Sequence, residues 1–115
     1  MNMKKWKEAF KNSERQALPI LTYPGLQITG KTIKDVVTDG SAQYELIKAV
    51  SDRYPTAGAV SIMDLSVEAE AFGSEIKYSD NEVPNVVGRL VVDEKSIDEL
   101  QVPDLTKGRI PEYLK

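Results

Sequence analysis

The chain contains neither cysteine nor histidine. Together these absences exclude disulfides, Cys/His zinc sites, thiol nucleophiles and a histidine general base from its own chemistry. Carboxylates, hydroxyls, lysine and arginine remain. Basic charge is not in excess either: 15 Lys and Arg stand against 18 Asp and Glu, a net charge of −3, and the two signs are interspersed. A nucleic-acid or anionic-membrane surface is therefore not expected. No apolar run approaches the ~20 residues of a membrane span, and the first residues lack the apolar core of a signal peptide. The expectation is a soluble cytoplasmic protein with no nucleic-acid and no membrane partner. At 115 residues and 41% hydrophobic composition, one domain with a modest core fits and two do not.

What is present centres on residues 57–73, AGAVSIMDLSVEAEAFG. The small and apolar run 57–63 reads as a buried parallel-type strand, and Asp64 closes it. Residues 66–72 hold good helix formers, and Gly73 stands where a helix stop belongs. A carboxylate at the carboxyl end of such a strand, facing a helix start, is where α/β folds place their chemistry. The competing role for Asp64 is to cap that helix, which needs the same geometry.

Upstream, Met3, Trp6 and Phe10 recur at helical spacing among lysines, predicting a short amphipathic helix packed on its own domain. Residues 18–23, LPILTY, predict a first strand, and Pro24-Gly25 turns the chain into a loop running to Lys31. A short helix is expected over 32–37, broken by 38–40. A longer one follows from a Ser41 cap to Tyr54, with Ala42, Leu46, Ala49 and Val50 on one face. This order is a βαβ unit with parallel strands and a right-handed crossover. Farther on, 75–78 alternates like an edge strand or extended loop. Residues 81–88 carry Pro84 and no regular period, 90–92 is a short apolar run, and 93–100 predicts a small capped helix. Pro111 with Glu112 behind it marks a helix that is starting. Two parallel strands are too few to cover both faces of a sheet, so the chain reads as the front part of a larger α/β protein.

Residues 25–32, GLQITGKT, match the phosphate-loop pattern G-x-x-x-x-G-K-[ST]. Such a loop must curl so that successive N–H groups converge on phosphate, and Leu26 with β-branched Ile28 resists that curl. The nucleotide reading is accordingly set aside.

The run 64–73 (DLSVEAEAFG), with PILTYPG at 19–25, the Thr29-Gly30 pair and VPDL at 102–105, resembles the amino-terminal third of the uroporphyrinogen decarboxylase superfamily. The resemblance extends from about Glu14 onward. It is nearest to the cobamide-dependent methyltransferase branch, where D-x-[ST]-V-E-A-E-A-x-G is typical. It implies an α/β fold: the N-terminal portion of a (β/α)8 TIM barrel with an N-terminal helical segment, the whole chain being one fragment of that barrel.

The resemblance also assigns Asp64 to the active-site cleft, where the decarboxylases use an aspartate against pyrrole N–H groups; one fixed anion suits several converging donors. Glu68, one turn on, is placed to line the same cleft, with a solvated or salt-bridged role as its competing reading, and Tyr23 is placed either to reach the cleft from the first strand or to pack as a core aromatic. Glu68 and Glu70 stand two residues apart on a helix and so form no acid/base dyad; Glu70 is expected at a helix or strand-end contact. The arginine-rich substrate loop of the decarboxylases is missing, since after Arg15 the chain has Tyr23, Pro24, Gly25 and Leu26 in that region. Uroporphyrinogen decarboxylation is thus the alternative to methyl transfer from a methylcobamide or corrinoid protein to a small thiol. For the full-length protein the methyltransferase branch implies zinc and methylcobamide. None of the zinc ligands is in this chain, which is expected to hold no metal and to be inactive alone. A different class of reading is a non-catalytic domain that covers an open sheet edge by forming a homodimer.

Overall fold

The computed structural model describes residues 2–115. Its longest element, helix α4 (Gly40–Arg53), is the spine of the fold, and its buried side chains Ala42, Leu46 and Val50 recur every four residues. The Asp39 carboxylate accepts from the Ser41 backbone N–H at 2.8 Å, so the cap is Asp39 rather than the expected Ser41. The preceding helix ends at Thr38, within the expected 38–40 break, and Gly40 is already the first residue of α4.

Two short helices precede it. Helix α3 (Ile33–Thr38) forms where expected because Thr32 and Asp35 make a reciprocal capping box, and it buries Val36 and Val37. Helix α2 (Gly25–Thr29) replaces the expected loop. Pro24 already has helical backbone angles, and Gly30 ends the helix at φ 68° in the left-handed region that glycine enters without strain. The phosphate-loop pattern is therefore wound into a helix, and its Lys31 pairs with Glu45 at 2.8 Å. A Cβ on Gly25 would stand 2.8 Å from Val50 Cγ2 and 2.9 Å from Leu46 Cγ, so α2 meets α4 with only a hydrogen between them. Val36, Val37, Ala42, Leu46 and Ile62 form the core, with Tyr23, Leu26, Ile33, Ile47 and Tyr78 packed around it.

The two expected parallel strands do not form. Residues 18–23 and 57–63 belong to no ladder, and the backbone bond joining these regions is Ala57 N–H to Ala17 C=O at 2.9 Å. A parallel ladder needs a series of such bonds and cover on both faces. Here Ile62 and Thr22 are buried, but Leu18, Ile20 and Met63 face outward. The sheet of the described residues is an antiparallel pair, β1 (Glu75–Lys77) with β2 (Asn85–Val87), in the register Ile76 opposite Val86. The first strand is the expected edge strand; the second was hidden because 81–88 shows no alternation.

Helix α5 (Ser66–Ala71) and helix α6 (Glu94–Asp98) stand where expected, the latter with an Asp93–Ser96 capping box. Helix α7 (Ile110–Tyr113) carries Pro111 in its first turn. Helix α1 (Met3–Lys11) forms from an Asn2 cap, and Trp6 stacks on Phe10 with ring centroids 5.3 Å apart. The expected packing of this helix is not found: it buries no residue.

The radius of gyration is 17.4 Å, against ~13 Å for a compact chain of this size. The accessible surface of 8562 Å² likewise exceeds the ~6,300 Å² of a folded monomer of this mass. Leu65, Val92 and Val102 contribute to the excess, each more than seventy per cent exposed. Among the described residues no helix is long and apolar enough to cross a membrane.

Candidate functional site

Asp64 lies where the 57–63 segment runs into α5, and its side chain is 1% exposed. Its Oδ1 accepts from the Ser66 N–H at 2.9 Å and the Ser66 hydroxyl at 2.6 Å. Its Oδ2 accepts from Arg109 Nη1 at 2.5 Å and from the Tyr113 hydroxyl at 3.0 Å. Four bonds fill the roughly four acceptor positions of an ionised carboxylate. Asp64 thus does bond the start of α5, and it is joined to the α7 region as well. Burial opposes its charge, while the hydrogen bonds from Ser66 and Arg109 favour it and prevail, so its carboxyl is held below its ordinary pKa.

Arg109 is the partner that sequence reading missed. It is one of four arginines, sits just before α7, and is 6% exposed. Its Nε donates to Glu70 Oε2 at 2.8 Å, Nη2 to the Ser66 hydroxyl at 2.7 Å, and Nη1 to the Val37 carbonyl at 3.2 Å as well as to Asp64. Its guanidinium carbon lies 5.0 Å from the centroid of the Tyr78 ring. Burial works against its charge and the two carboxylates outweigh it, so the guanidinium stays protonated throughout. A bond spanning 45 residues has no periodicity in sequence; only the residue type, a planar fork suited to two carboxylates, was a signal.

Glu70 occupies the strand-end contact expected for it. It accepts from the Tyr78 hydroxyl at 2.5 Å, one residue past β1, as well as from Arg109. Burial and this bond to a carboxylate push the Tyr78 hydroxyl up to about 12. Glu68 is exposed on the same helix.

A cleft of about 480 Å³ is lined by Asp64, Glu68, Tyr113 and the apolar Leu65, Leu105 and Leu114, among others. Asp64 and Glu68 therefore line one cleft. Tyr23 does not line it. Its ring packs on the core and its hydroxyl is buried without a partner among the described residues. Burial, and then the charge of Asp64, raise its pKa, which makes it a neutral group beside the cluster.

Zinc does not fit these residues. There is no imidazole or thiolate to bind it, and the described residues contain no cluster of three metal-ligating side chains. Asp64 and the partly buried Glu70 already share one guanidinium.

The family model of uroporphyrinogen decarboxylase (URO-D) matches residues 12–115, and the chain belongs to that family. Among solved structures, a methyltransferase from Methanosarcina mazei superposes with a TM-score of 0.71 at 23% sequence identity. The match covers 92% of this chain and 34% of the methyltransferase, so the chain spans about a third of that relative's length and shares its fold there. A search of curated proteins finds no match.

Proposed function

We propose that this chain is the N-terminal portion of a TIM-barrel methyltransferase of the uroporphyrinogen decarboxylase superfamily, one that moves a methyl group from a methylcobamide to a small thiol. The observation that carries the reading is the buried Asp64 anion in the lining of the cleft that Glu68 and Tyr113 also line, within a fold shared with a methyltransferase. The large exposed apolar surface and the wide radius of gyration support a unit that further polypeptide covers.

In this reading Asp64 is the ligand-facing anion. A ligand N–H reaches it by taking the place of the Tyr113 hydroxyl, the longest of its four bonds at 3.0 Å. Glu68 faces the ligand from the rim, and Leu65, Leu105 and Leu114 offer an apolar surface to one edge of a macrocycle. Tyr23 acts from behind, as a neutral wall that keeps water from the Asp64 cluster. The methylcobamide supplies the transferable methyl group; activation of the thiol belongs to ligands outside this chain, which is inactive alone.

Uroporphyrinogen decarboxylation is the competing activity in the same family. In the region after Arg15 where the decarboxylases carry substrate-binding arginines, this chain has Tyr23, Pro24, Gly25 and Leu26. Two assays on the whole protein that carries this chain separate the readings. Methylcobalamin with 2-mercaptoethanol should lose its cobalt–carbon absorbance, and uroporphyrinogen should remain unchanged. Conversion of uroporphyrinogen to coproporphyrinogen, with methylcobalamin untouched, would reverse the assignment.

A further inference from the structure

Arginine side chains usually bury their stems and keep the guanidinium in water. Arg109 does the opposite: its whole side chain is buried, and all three guanidinium nitrogens are bonded. What the fork holds is instructive. It fixes Asp64 Oδ2 directly, and it fixes Oδ1 through Ser66, whose hydroxyl accepts from Nη2 at 2.7 Å and donates to Oδ1 at 2.6 Å. The Val37 carbonyl and Glu70 in turn fix the fork, the latter receiving both Nε and the Arg109 backbone N–H. The orientation of the Asp64 carboxylate is thus set from α3, α5 and the start of α7 through one planar group.

We propose that Arg109 is the positioning residue of this site: it sets the orientation of Asp64 and keeps it charged, without itself meeting the ligand. The inference rests on the reading that Asp64 faces the ligand. The charges suit the role. One guanidinium against two carboxylates leaves the cluster with a surplus negative charge, while the Tyr78 and Tyr113 hydroxyls donate to it without cancelling any. Lysine keeps the positive charge but offers a single ammonium point, so it cannot hold Asp64, Ser66 and Glu70 in one plane.

The test uses Arg109→Lys and Ser66→Ala in the whole protein that carries this chain. Two readouts are taken: methyl transfer from methylcobalamin to 2-mercaptoethanol, and the carboxyl 13C titration of Asp64. In Arg109→Lys the kcat should fall about 10²-fold, as for a misplaced reacting group, with KM nearly unchanged. The Asp64 titration should move to higher pH. Ser66→Ala keeps Arg109 and loses only the relay to Oδ1, so it should show the same signs at smaller size. It also decides the matter if the lysine variant fails to fold. Folded variants with wild-type kcat and an unmoved Asp64 titration overturn the role of Arg109. A wild type that transfers no methyl group defeats the proposed function instead, and the titration alone then decides whether Arg109 controls Asp64.

Discussion

Arg109 Nη1 donates to Asp64 Oδ2 at 2.5 Å although 45 residues separate the two in sequence, and neither side chain is more than 6% exposed. A buried ion pair loses most of its solvation, so either partner left alone is costly. The segment before α7 is therefore joined to the end of the 57–64 segment by a buried ion pair.

Glu70 shares that guanidinium and should behave accordingly. Glu70→Ala leaves the Tyr78 hydroxyl without its acceptor and Arg109 with one carboxylate. Loss of about 3 kcal/mol is expected from urea unfolding. A loss under about 1 kcal/mol would mean that Asp64 alone satisfies Arg109.

Stability should fall at both ends of the pH scale. The folded pKa of Asp64 is depressed, so its contribution is complete above the unfolded value of ~3.9 and disappears as pH falls through the lower folded value. The Tyr78 hydroxyl is raised to about 12, so its contribution is complete below ~10 and is lost as pH rises toward about 12. Denaturant midpoints across pH should show both slopes in the wild type. The acid slope should flatten in Asp64→Asn and the alkaline slope in Tyr78→Phe.

Tyr113 occupies the acceptor position on Asp64 that a ligand would need. Tyr113→Phe removes one hydrogen bond, costing ~1 kcal/mol of stability, and frees that position. The KM for methylcobalamin should fall a few-fold. A large rise in KM would show that the Tyr113 hydroxyl contacts the ligand itself.

Gly25 allows α2 to meet α4. Gly25→Ala places a methyl group 2.8 Å from Val50 Cγ2 and should cost about 1–3 kcal/mol, read as a lowered denaturant midpoint. An unchanged midpoint would mean that α2 shifts away freely.

Elements with local signals were legible in sequence. Thr32 with Asp35 and Asp93 with Ser96 announce the starts of α3 and α6, and the Ala42–Leu46–Val50 stripe announces α4. The resemblance carried by residues 64–73 and 102–105 is borne out by the family match over 12–115. What depends on distant partners was not legible. Residues 18–23 and 57–63 have strand composition, but a ladder is made by neighbours, and here the link between them is Ala57 to Ala17. Pro24-Gly25 reads as a turn because Pro and Gly favour one; Pro24 has helical backbone angles and leads straight into α2. Within the site, the resemblance points to Asp64 and the four-residue spacing to Glu68, and both line one cleft. Arg109 escaped because neither periodicity nor a short motif marks a side chain that folds back over 45 residues.

That Asp64 serves methyl transfer at this cleft is tested by methylcobalamin demethylation by 2-mercaptoethanol in the whole protein, wild type beside Asp64→Asn. The wild type should turn over, and a variant that still folds should lose about 10²-fold or more. Absence of turnover in the wild type, or equal rates in a folded Asp64→Asn, would contradict it.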